Sequence, residues 1–237
     1  YKRGITMENS HFKKSEETWD KIAESFDKTR RKPWPIVIDF IKDQPKDIVF
    51  ADLGCGNGRH LIPASEHFKK VIGIDISSVL LKIIEEKINT KRIDNVELIH
   101  SNLLDIPMED NKIDSIIYIA ALHNIKHRKN RIKSLKELKR IMKKNGLAMV
   151  SVWSQEQEKF REIFEKKKKE GFEKKEFGDI EIFWNQDKLN IPRFYHLYQE
   201  NEFKEDIKKA ELKIKKFEPV KIVSKKYFDN YFAIVEK

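Results

Sequence analysis

The 237-residue sequence predicts an α/β fold in which a mostly parallel sheet carries helices on both faces. Three observations lead to this prediction. Short apolar runs alternate with segments whose apolar residues recur at helical spacing. A glycine-rich turn follows the first apolar run, and the second run ends in a carboxylate, Asp75. Parallel strands need long crossover connections, which the intervening helices supply.

The first hundred residues predict three strands and four helices. Apolar residues recur at helical spacing over residues 16–27, which predicts the first helix. Pro35 suits the first turn of a short helix that runs to Ile41, because the N–H that proline lacks is not needed there. Strands are expected at residues 48–53, 71–75 and 96–100, with helices after Arg59 and Ser77.

The remaining residues continue the alternation and then change character. Residues 113–120 are apolar and nearly continuous, as in a central parallel strand. A helix over about residues 132–142 should end at Asn145-Gly146, and a fifth strand should cover residues 147–153. A further helix is expected to end at about residue 210, and further strands are expected at 212–223 and 231–235.

One domain should contain these elements. We expect residues 1–15 to be a tail or the remnant of a cloning tag, and residues 16–237 to form a single domain. A charged insertion at about 155–192 would interrupt it, because Lys and Glu dominate the segment from Gln155 to Phe177. That segment is either a solvated helix or loop, or a surface that contacts phosphates.

The charge balance favours acidic partners. The chain has 49 Lys and Arg against 39 Asp and Glu, a formal net charge of +10. Nucleic acid is the first candidate partner, although a Lys/Glu-rich thermophile surface would have a similar composition. The single cysteine, Cys55, excludes an internal disulfide. No apolar run approaches the ~20 residues of a membrane helix, and no signal peptide is visible, so we expect a cytoplasmic protein without a membrane partner.

The glycine turn is the strongest functional signal. Residues 52–58 read D-L-G-C-G-N-G. Glycine permits positive φ angles and a close approach of backbone to ligand. Arg59 stands where a dinucleotide site would have its third glycine. The turn resembles motif I of the class I S-adenosylmethionine methyltransferases, whose cofactor has no pyrophosphate to hold.

The ends of the first four strands should together form the cofactor site, because ligands of such folds lie outside the carboxyl ends of the strands. A carboxylate at Asp75 can accept hydrogen bonds from two ribose hydroxyls, and the third strand end would meet the adenine. The predicted cofactor-binding residues are Asp52, Gly54, Cys55, Gly56, Asn57, Gly58, Asp75, Ile76, Asn102, Leu103 and Ile119.

The end of the fourth strand restricts the reaction. It lacks the [DN]-P-P-[YF] of adenine amino methyltransferases, and the only thiol, Cys55, lies in the glycine turn rather than at a nucleophile's position. An acceptor that needs little activation remains, such as a carboxylate, which is ionised at neutral pH. His123 and Arg30 are the candidates to hold it, since a guanidinium can bind a carboxylate through two parallel bonds. His123 could instead be only a capping or packing residue, and Arg30 could be only part of a basic cluster on the surface.

Several blocks resemble a narrower family. Residues 29–37, T-R-R-K-P-W-P-I-V, look like the T-R-x-K-P-W-P-x-V block of the tRNA wobble-uridine (5-carboxymethyluridine) methyltransferases. Blocks at 52–58, 119–123, 153–157 and 193–198 are similar to theirs in the same order. The resemblance implies a Rossmann-like class I fold with a seven-stranded sheet and a C-terminal antiparallel strand. It also implies S-adenosylmethionine as cofactor and tRNA as substrate, with the carboxymethyl group converted to its methyl ester.

The resemblance also implies roles for residues and a partner. Arg30 and His123 match positions that hold the acid group in catalysis, and no metal is expected. The implied substrate-binding residues are Arg30, Lys32, Trp34, Tyr195 and His196. Family members work with a small zinc-binding activator protein that adds a strand to the sheet. The basic segments Lys28–Lys32, Lys126–Arg131 and Lys166–Lys169 would meet phosphates.

The chain departs from the family pattern at two positions. Asn102 stands where the family usually has Asp, and Asn124 replaces a second histidine. Two other functions stay open on the sequence: a class I methyltransferase that acts on a small molecule, and a non-catalytic RNA-binding protein on a methyltransferase-like fold.

Overall fold

The computed structural model describes residues 7–170 and 176–237, with side chains from residue 12 onward. The strands of the described residues are β1 (Val49–Leu53), β2 (Lys70–Asp75), β3 (Val96–His100), β4 (Ile113–Ile119), β5 (Met142–Trp153), β6 (Asp179–Trp184), β7 (Ile191–His196), β8 (Lys213–Val220) and β9 (Asn230–Glu236). The helices are α1 (Met7–Thr29), α2 (Pro35–Lys42), α3 (Leu61–Ser65), α4 (Ser78–Lys91), α5 (Arg128–Ile141), α6 (Glu158–Glu170) and α7 (Glu200–Lys209), with a 3-10 turn at Leu122–Asn124.

Seven strands form the main sheet in the order β3-β2-β1-β4-β5-β9-β8. β1 to β5 pair in parallel, whereas β9 lies antiparallel to both of its neighbours, β5 and β8. The predicted seven-stranded, mostly parallel sheet with a C-terminal antiparallel strand is confirmed. The order reverses between β1 and β4, and the crevice at such a reversal is where ligands of these folds bind.

Helices cover both faces of this sheet, as predicted. On one face Leu135 and Leu138 of α5 and Phe203 of α7 pack into an apolar cluster with the strands. On the other face α2, α3 and α4 contribute a second cluster that includes Phe40 and Ile84. Burying each such side chain contributes about 1.5–3 kcal/mol, so the two clusters fix the strand ends against each other.

Three element boundaries differ from the sequence prediction. α1 begins at Met7, so helix extends through most of the expected tail at 1–15, while residues 1–6 lie outside the described part of the chain. α5 ends at Ile141 and β5 starts at once. Gly146 does not end the helix, because the register between β4 and β5 shifts there and residues 143–146 form an irregularity within β5.

The charged segment at 155–192 contains a structured element that the sequence did not reveal. β6 and β7 form a separate antiparallel hairpin. Its inner face packs Ile182 and Tyr195 against Phe160 and Phe164 of α6. The hairpin escaped prediction because the Lys- and Glu-rich residues before it led the whole segment to be assigned as one charged insertion, although β6 and β7 are themselves mostly apolar or aromatic. Its position matters, since β7 adjoins the turn after β4.

None of the helices in residues 7–170 and 176–237 combines the length and the apolar character that crossing a membrane would require. The cellular location of the protein stays a prediction.

Candidate active site

A cavity of about 430 Å³ lies at the carboxyl ends of β1, β2 and β4. This volume is typical of small-molecule sites. Helix α1 and the β6–β7 hairpin contribute its other walls. Ten of the predicted cofactor-binding residues line it: Asp52, Gly54, Cys55, Gly56, Asn57, Asp75, Ile76, Asn102, Leu103 and Ile119.

The glycine turn needs its glycines for two different reasons. Gly54, Gly56 and Gly58 have φ angles of 71°, 56° and 79°, which favour a residue without Cβ. Gly54 also meets the turn after β4, where an added Cβ would lie 2.5 Å from the Cβ of Ala121. Gly58 does not line the cavity. It packs against Ile84 of α4. We therefore assign Gly58 to the packing of the glycine turn on that helix rather than to contact with the cofactor.

Replacing Gly54 by alanine should displace the turn that carries His123, because the new Cβ cannot coexist with Ala121 at 2.5 Å. We expect S-adenosylmethionine affinity to fall by about tenfold or more, with about 1–3 kcal/mol of lost stability from the strained φ. Calorimetric titration and thermal unfolding measure the two effects. Gly178→Ala would not serve as a control, since its Cβ would also clash. Gly56→Ala is the comparison for stability, because its φ is also positive but its Cβ would meet only Phe26 at 3.6 Å; an unperturbed Gly54→Ala variant would contradict the packing.

Asp75 is a buried carboxylate with remaining acceptor capacity. Its Oδ2 accepts the N–H of Gly56 at 2.8 Å, and its Oδ1 accepts the N–H of Ser77 at 2.9 Å. Burial raises the pKa of Asp75, and these N–H groups oppose that rise. Each carboxylate oxygen can accept a further hydrogen bond. The site therefore fits a ribose with two adjacent hydroxyls.

Two other groups in the cleft respond to burial. Burial and the neighbouring Asp75 raise the pKa of Asp52 to about 8. Burial also raises the pKa of the Cys55 thiol well above its usual range, so the thiol is a poor nucleophile. Asn102 differs from the expectation in one detail: its Oδ1 already accepts the N–H of Leu104 at 2.7 Å. Only the second lone pair of that oxygen and the amide N–H groups remain for an adenine.

These residues fit S-adenosylmethionine. The glycine turn leaves room for a close-lying ligand, Asp75 offers acceptors for a ribose, and Leu103 and Ile119 provide apolar walls for a base. Asn57, whose side chain is buried, donates to Asp27 Oδ1 and to the carbonyl oxygen of Arg30, both at 2.9 Å. The cofactor turn is thereby tied to the end of α1.

His123 is fully buried and lines the cavity. Its Nδ1 accepts the backbone N–H of Trp153 at 3.0 Å, so the proton of the neutral ring resides on Nε2. Nε2 has no hydrogen-bond partner among the described residues. Burial, followed by the nearby His196, Arg193 and Arg131, lowers the pKa of His123 to about 3. His123 is thus a neutral ring at the cavity wall, with a buried N–H that no described residue accepts.

Arg30 lines the same cavity, at the end of α1. Its guanidinium carbon lies 5.4 Å from the centroid of the Trp184 ring. The cofactor turn, Arg30 and His123 therefore meet at one site. Asn124, which follows His123, has a buried Oδ1 without a partner among the described residues, and so offers a further acceptor.

The other predicted substrate residues divide into two groups. Trp34 and Tyr195 line the cavity. Lys32 is exposed and does not line it. His196 does not line it either, because its side chain points into an ion-pair network, with Nδ1 2.8 Å from Asp179 and Nε2 2.8 Å from Glu202. Lys32 and His196 therefore lie outside this cavity.

That network has a structural explanation. Burial disfavours the charged imidazole, yet the hydrogen bonds to Asp179 and Glu202 raise the pKa of His196. Glu176, Asp179 and His196 lie close enough to hold a metal ion. Arg131 pairs with Glu176, however, and both ring nitrogens of His196 are engaged, so the group serves as an ion-pair network that joins the hairpin to α5 and α7.

Sequence reasoning missed several residues of the cavity. Trp19, Trp153 and Arg193 line it, and Trp153 stacks on Tyr195 with ring centroids 4.9 Å apart. Arg193 opens the 193–198 block that was noted in the sequence, so a charged residue at the start of that block was the available signal. Trp153 likewise opens the 153–157 block, whereas Trp19 gave no comparable signal, because aromatic residues are common in cores.

The basic segments are only partly available to phosphates. Lys126 lines the cavity and lies over the ring of Phe194. Arg128 and Arg131 of the same segment are instead engaged with Asp206 and with Glu176. In the other two segments Lys28 pairs with Asp187, and Lys166 pairs with Glu170.

Comparison with known proteins finds a matching domain and similar sequences. Residues 51–150 match the family described as Methyltransferase domain. The mouse protein tRNA (carboxymethyluridine(34)-5-O)-methyltransferase ALKBH8 is 31% identical over 157 residues, 66% of this chain and 22% of that protein. The enzyme named tRNA (carboxymethyluridine(34)-5-O)-methyltransferase from Schizosaccharomyces pombe is 28% identical over 214 residues, 82% of this chain and 86% of that protein.

A solved complex of the Haloferax volcanii Trm112 methyltransferase activator with a methyltransferase matches the fold with a TM-score of 0.68 at 13% identity, covering 94% of this chain and 96% of that one. The chain spans between about a fifth and a third of the first four curated relatives that it matches. The chain therefore has the fold of solved methyltransferases, its residues 51–150 match the Methyltransferase domain, and its sequence is similar to that of tRNA wobble-uridine methyltransferases.

Proposed function

We propose that this chain transfers a methyl group from S-adenosylmethionine to the carboxymethyl group of a wobble uridine in tRNA, forming the methyl ester. One observation carries the proposal: Arg30 and His123 line the cavity that also contains the glycine turn and Asp75. The names of the mouse and fission yeast relatives support the same acceptor.

The chemistry suits a neutral His123. S-adenosylmethionine, when bound, supplies a methyl group whose C–S bonding pair stays on sulfur while an acceptor oxygen forms the new C–O bond. A carboxylate is already ionised, so the protein needs no base to remove a proton. The Nε2–H of His123 can donate to one carboxylate oxygen, and Arg30 can balance the negative charge. Trp34, Trp153 and Tyr195 wall the cavity and limit its contact with water.

Two partners belong to this proposal. The first is tRNA, for which Lys126 at the cavity is a candidate phosphate contact. The second is a small zinc-binding activator, suggested by the resemblance and by the Trm112 complex among the structural neighbours. Strand β3 ends the sheet and pairs with β2 alone among the described residues, so its outer backbone could accept a strand from such a partner.

Replacing Arg30 by alanine tests the proposal. We expect the rate of methyl transfer to tRNA to fall by about 100-fold, because a charge-assisted contact to the acceptor is lost. The affinity for S-adenosylmethionine should stay near wild type. Tritium-labelled methyl transfer to bulk tRNA measures the first, and calorimetry measures the second. Arg161→Ala removes an exposed arginine of α6 and is the matched control.

Nucleoside analysis of the labelled tRNA decides between acceptors. Release of the label by mild base indicates an ester and supports the proposal. A base-stable product would overturn it in favour of ring or amine methylation. Methyl transfer that persists in an extract after RNase treatment would instead point to a small-molecule acceptor.

A further inference from the structure

Arg193 of β7 is a buried cation at the cavity. Only 7% of its surface is exposed, and it lines the wall beside Tyr195. One guanidinium nitrogen, Nη1, donates to the hydroxyl of Tyr195. Its Nε is buried without a hydrogen-bond partner among the described residues. Arg193 therefore retains donor capacity inside the site.

No acidic side chain of the described residues forms an ion pair with Arg193. The carboxylates that line the cavity, Asp52, Asp75, Asp105 and Glu181, have no such contact with it. This contrasts with Arg128 and Arg131, which are both paired with carboxylates nearby. Burying a charge without a carboxylate partner is costly, and an anion in the cavity would offset that cost.

Aromatic rings hold the guanidinium in place. Its carbon lies 4.8 Å from the ring centroid of Trp184, 5.1 Å from that of Tyr195 and 5.9 Å from that of Trp19. Trp184 is fixed in turn by a hydrogen bond of 2.9 Å from its Nε1 to Ser25 Oγ of α1. The cation is thus positioned before any ligand binds.

The positive charge of Arg30 adds to the positive charge of Arg193, which has no carboxylate partner among the described residues. Burial lowers the pKa of Arg193, and Arg30 lowers it further. Two guanidinium groups near each other in a cavity repel unless an anion lies with them. An acceptor that carries a full negative charge relieves both costs, whereas a neutral acceptor of the same shape relieves neither.

We propose that Arg193 is a specificity-determining residue that selects an ionised carboxylate as acceptor and rejects its neutral amide and ester forms. The identity of that acceptor as a uridine substituent rests on the proposed function, whereas the preference for a small carboxylate does not. Methylation removes the negative charge, so the ester product loses its attraction to Arg193. The same residue that admits the substrate thereby favours release of the product.

A binding experiment tests the selection without any methyl transfer. Trp19 and Trp184 flank Arg193, so tryptophan fluorescence reports on its surroundings. The full chain is titrated with acetate and, separately, with acetamide at constant ionic strength. We expect a saturable change with acetate and none with acetamide. In Arg193→Gln the acetate affinity should fall by about tenfold or more, and Arg161→Gln should behave as wild type.

Three results would overturn the proposal. Equal responses of the wild-type chain to acetate and acetamide would show that the site does not select charge. Wild-type acetate affinity in Arg193→Gln would remove Arg193 from the selection. Arg193→Lys keeps the charge and guards against a folding defect: it should bind acetate better than Arg193→Gln, and equal loss in both variants with unchanged thermal unfolding would also reject the charge role.

The result of this binding experiment can be distinguished from the result that tests the proposed function. Acetate selectivity without ester formation on tRNA would leave Arg193 as a carboxylate selector and move the acceptor to another acid. Ester formation on tRNA without acetate selectivity would keep the proposed function and assign the selection elsewhere.

Discussion

Replacing His123 by alanine should lower the rate of methyl transfer by about 10²–10³-fold, a loss comparable to that of one donor from a preorganised site. The reason is the Nε2–H of this cavity-lining residue, which is buried and has no hydrogen-bond partner among the described residues. The affinity for S-adenosylmethionine should change little. Single-turnover transfer and calorimetry measure the two quantities.

Two further observations distinguish a donor role from packing. His123→Gln places an amide N–H near the position of Nε2, so it should retain more activity than His123→Ala. The rate should show no decline with an apparent pKa near 6.5, because burial keeps His123 neutral down to about pH 3. A loss of rate that follows imidazole protonation near pH 6.5 would contradict the neutral donor.

The lowered pKa of His123 also makes the stability of the folded protein depend on pH. The folded pKa of His123 is depressed, so its neutral form stabilises the native state fully above the unfolded value of 6.5. That stabilisation is lost as the pH falls from 6.5 toward 3, because the unfolded chain takes up the proton first. Comparing the acid unfolding of wild type and His123→Gln isolates this contribution.

Replacing Asp75 by alanine should weaken S-adenosylmethionine binding by about 100-fold or more, since each hydrogen bond to a charged group contributes about 1.5–3 kcal/mol. The variant also leaves the N–H groups of Gly56 and Ser77 without their acceptor, so the glycine turn loosens at the same time. Calorimetric titration measures the affinity.

Asp75→Asn separates the two effects. It keeps one acceptor oxygen for the turn or the ligand, so its affinity should lie between those of wild type and Asp75→Ala. Asp39→Ala removes an exposed carboxylate of α2 and controls for net charge. An unchanged dissociation constant in Asp75→Ala would exclude Asp75 from the cofactor site.

The cofactor half of the cavity was predictable because its signals are local. The positive φ of Gly54 and the placement of Asp75 at the end of β2 follow from residues near each other in sequence. The substrate half was not. It joins Arg30, which directly follows α1, to a hairpin that begins only at Asp179, and nothing in the spacing of the two segments brings them together.

The 193–198 block shows most clearly what could not be predicted from the sequence. Arg193, Tyr195 and His196 lie close together in the sequence and all belong to β7. Arg193 and Tyr195 line the cavity, whereas His196, the last residue of the strand, contacts Asp179 and Glu202. The partners of His196 come from other elements, so the sequence of the block could not separate it from its neighbours.

The sequence by itself determined the α/β alternation, the glycine turn and the carboxylate that ends β2, because hydrophobic period and backbone freedom are properties of short segments. The tertiary structure alone decided which cations lack a partner and which nitrogen of His123 carries the proton. Those properties depend on burial and on the groups across the cavity, to which residues distant in the chain contribute.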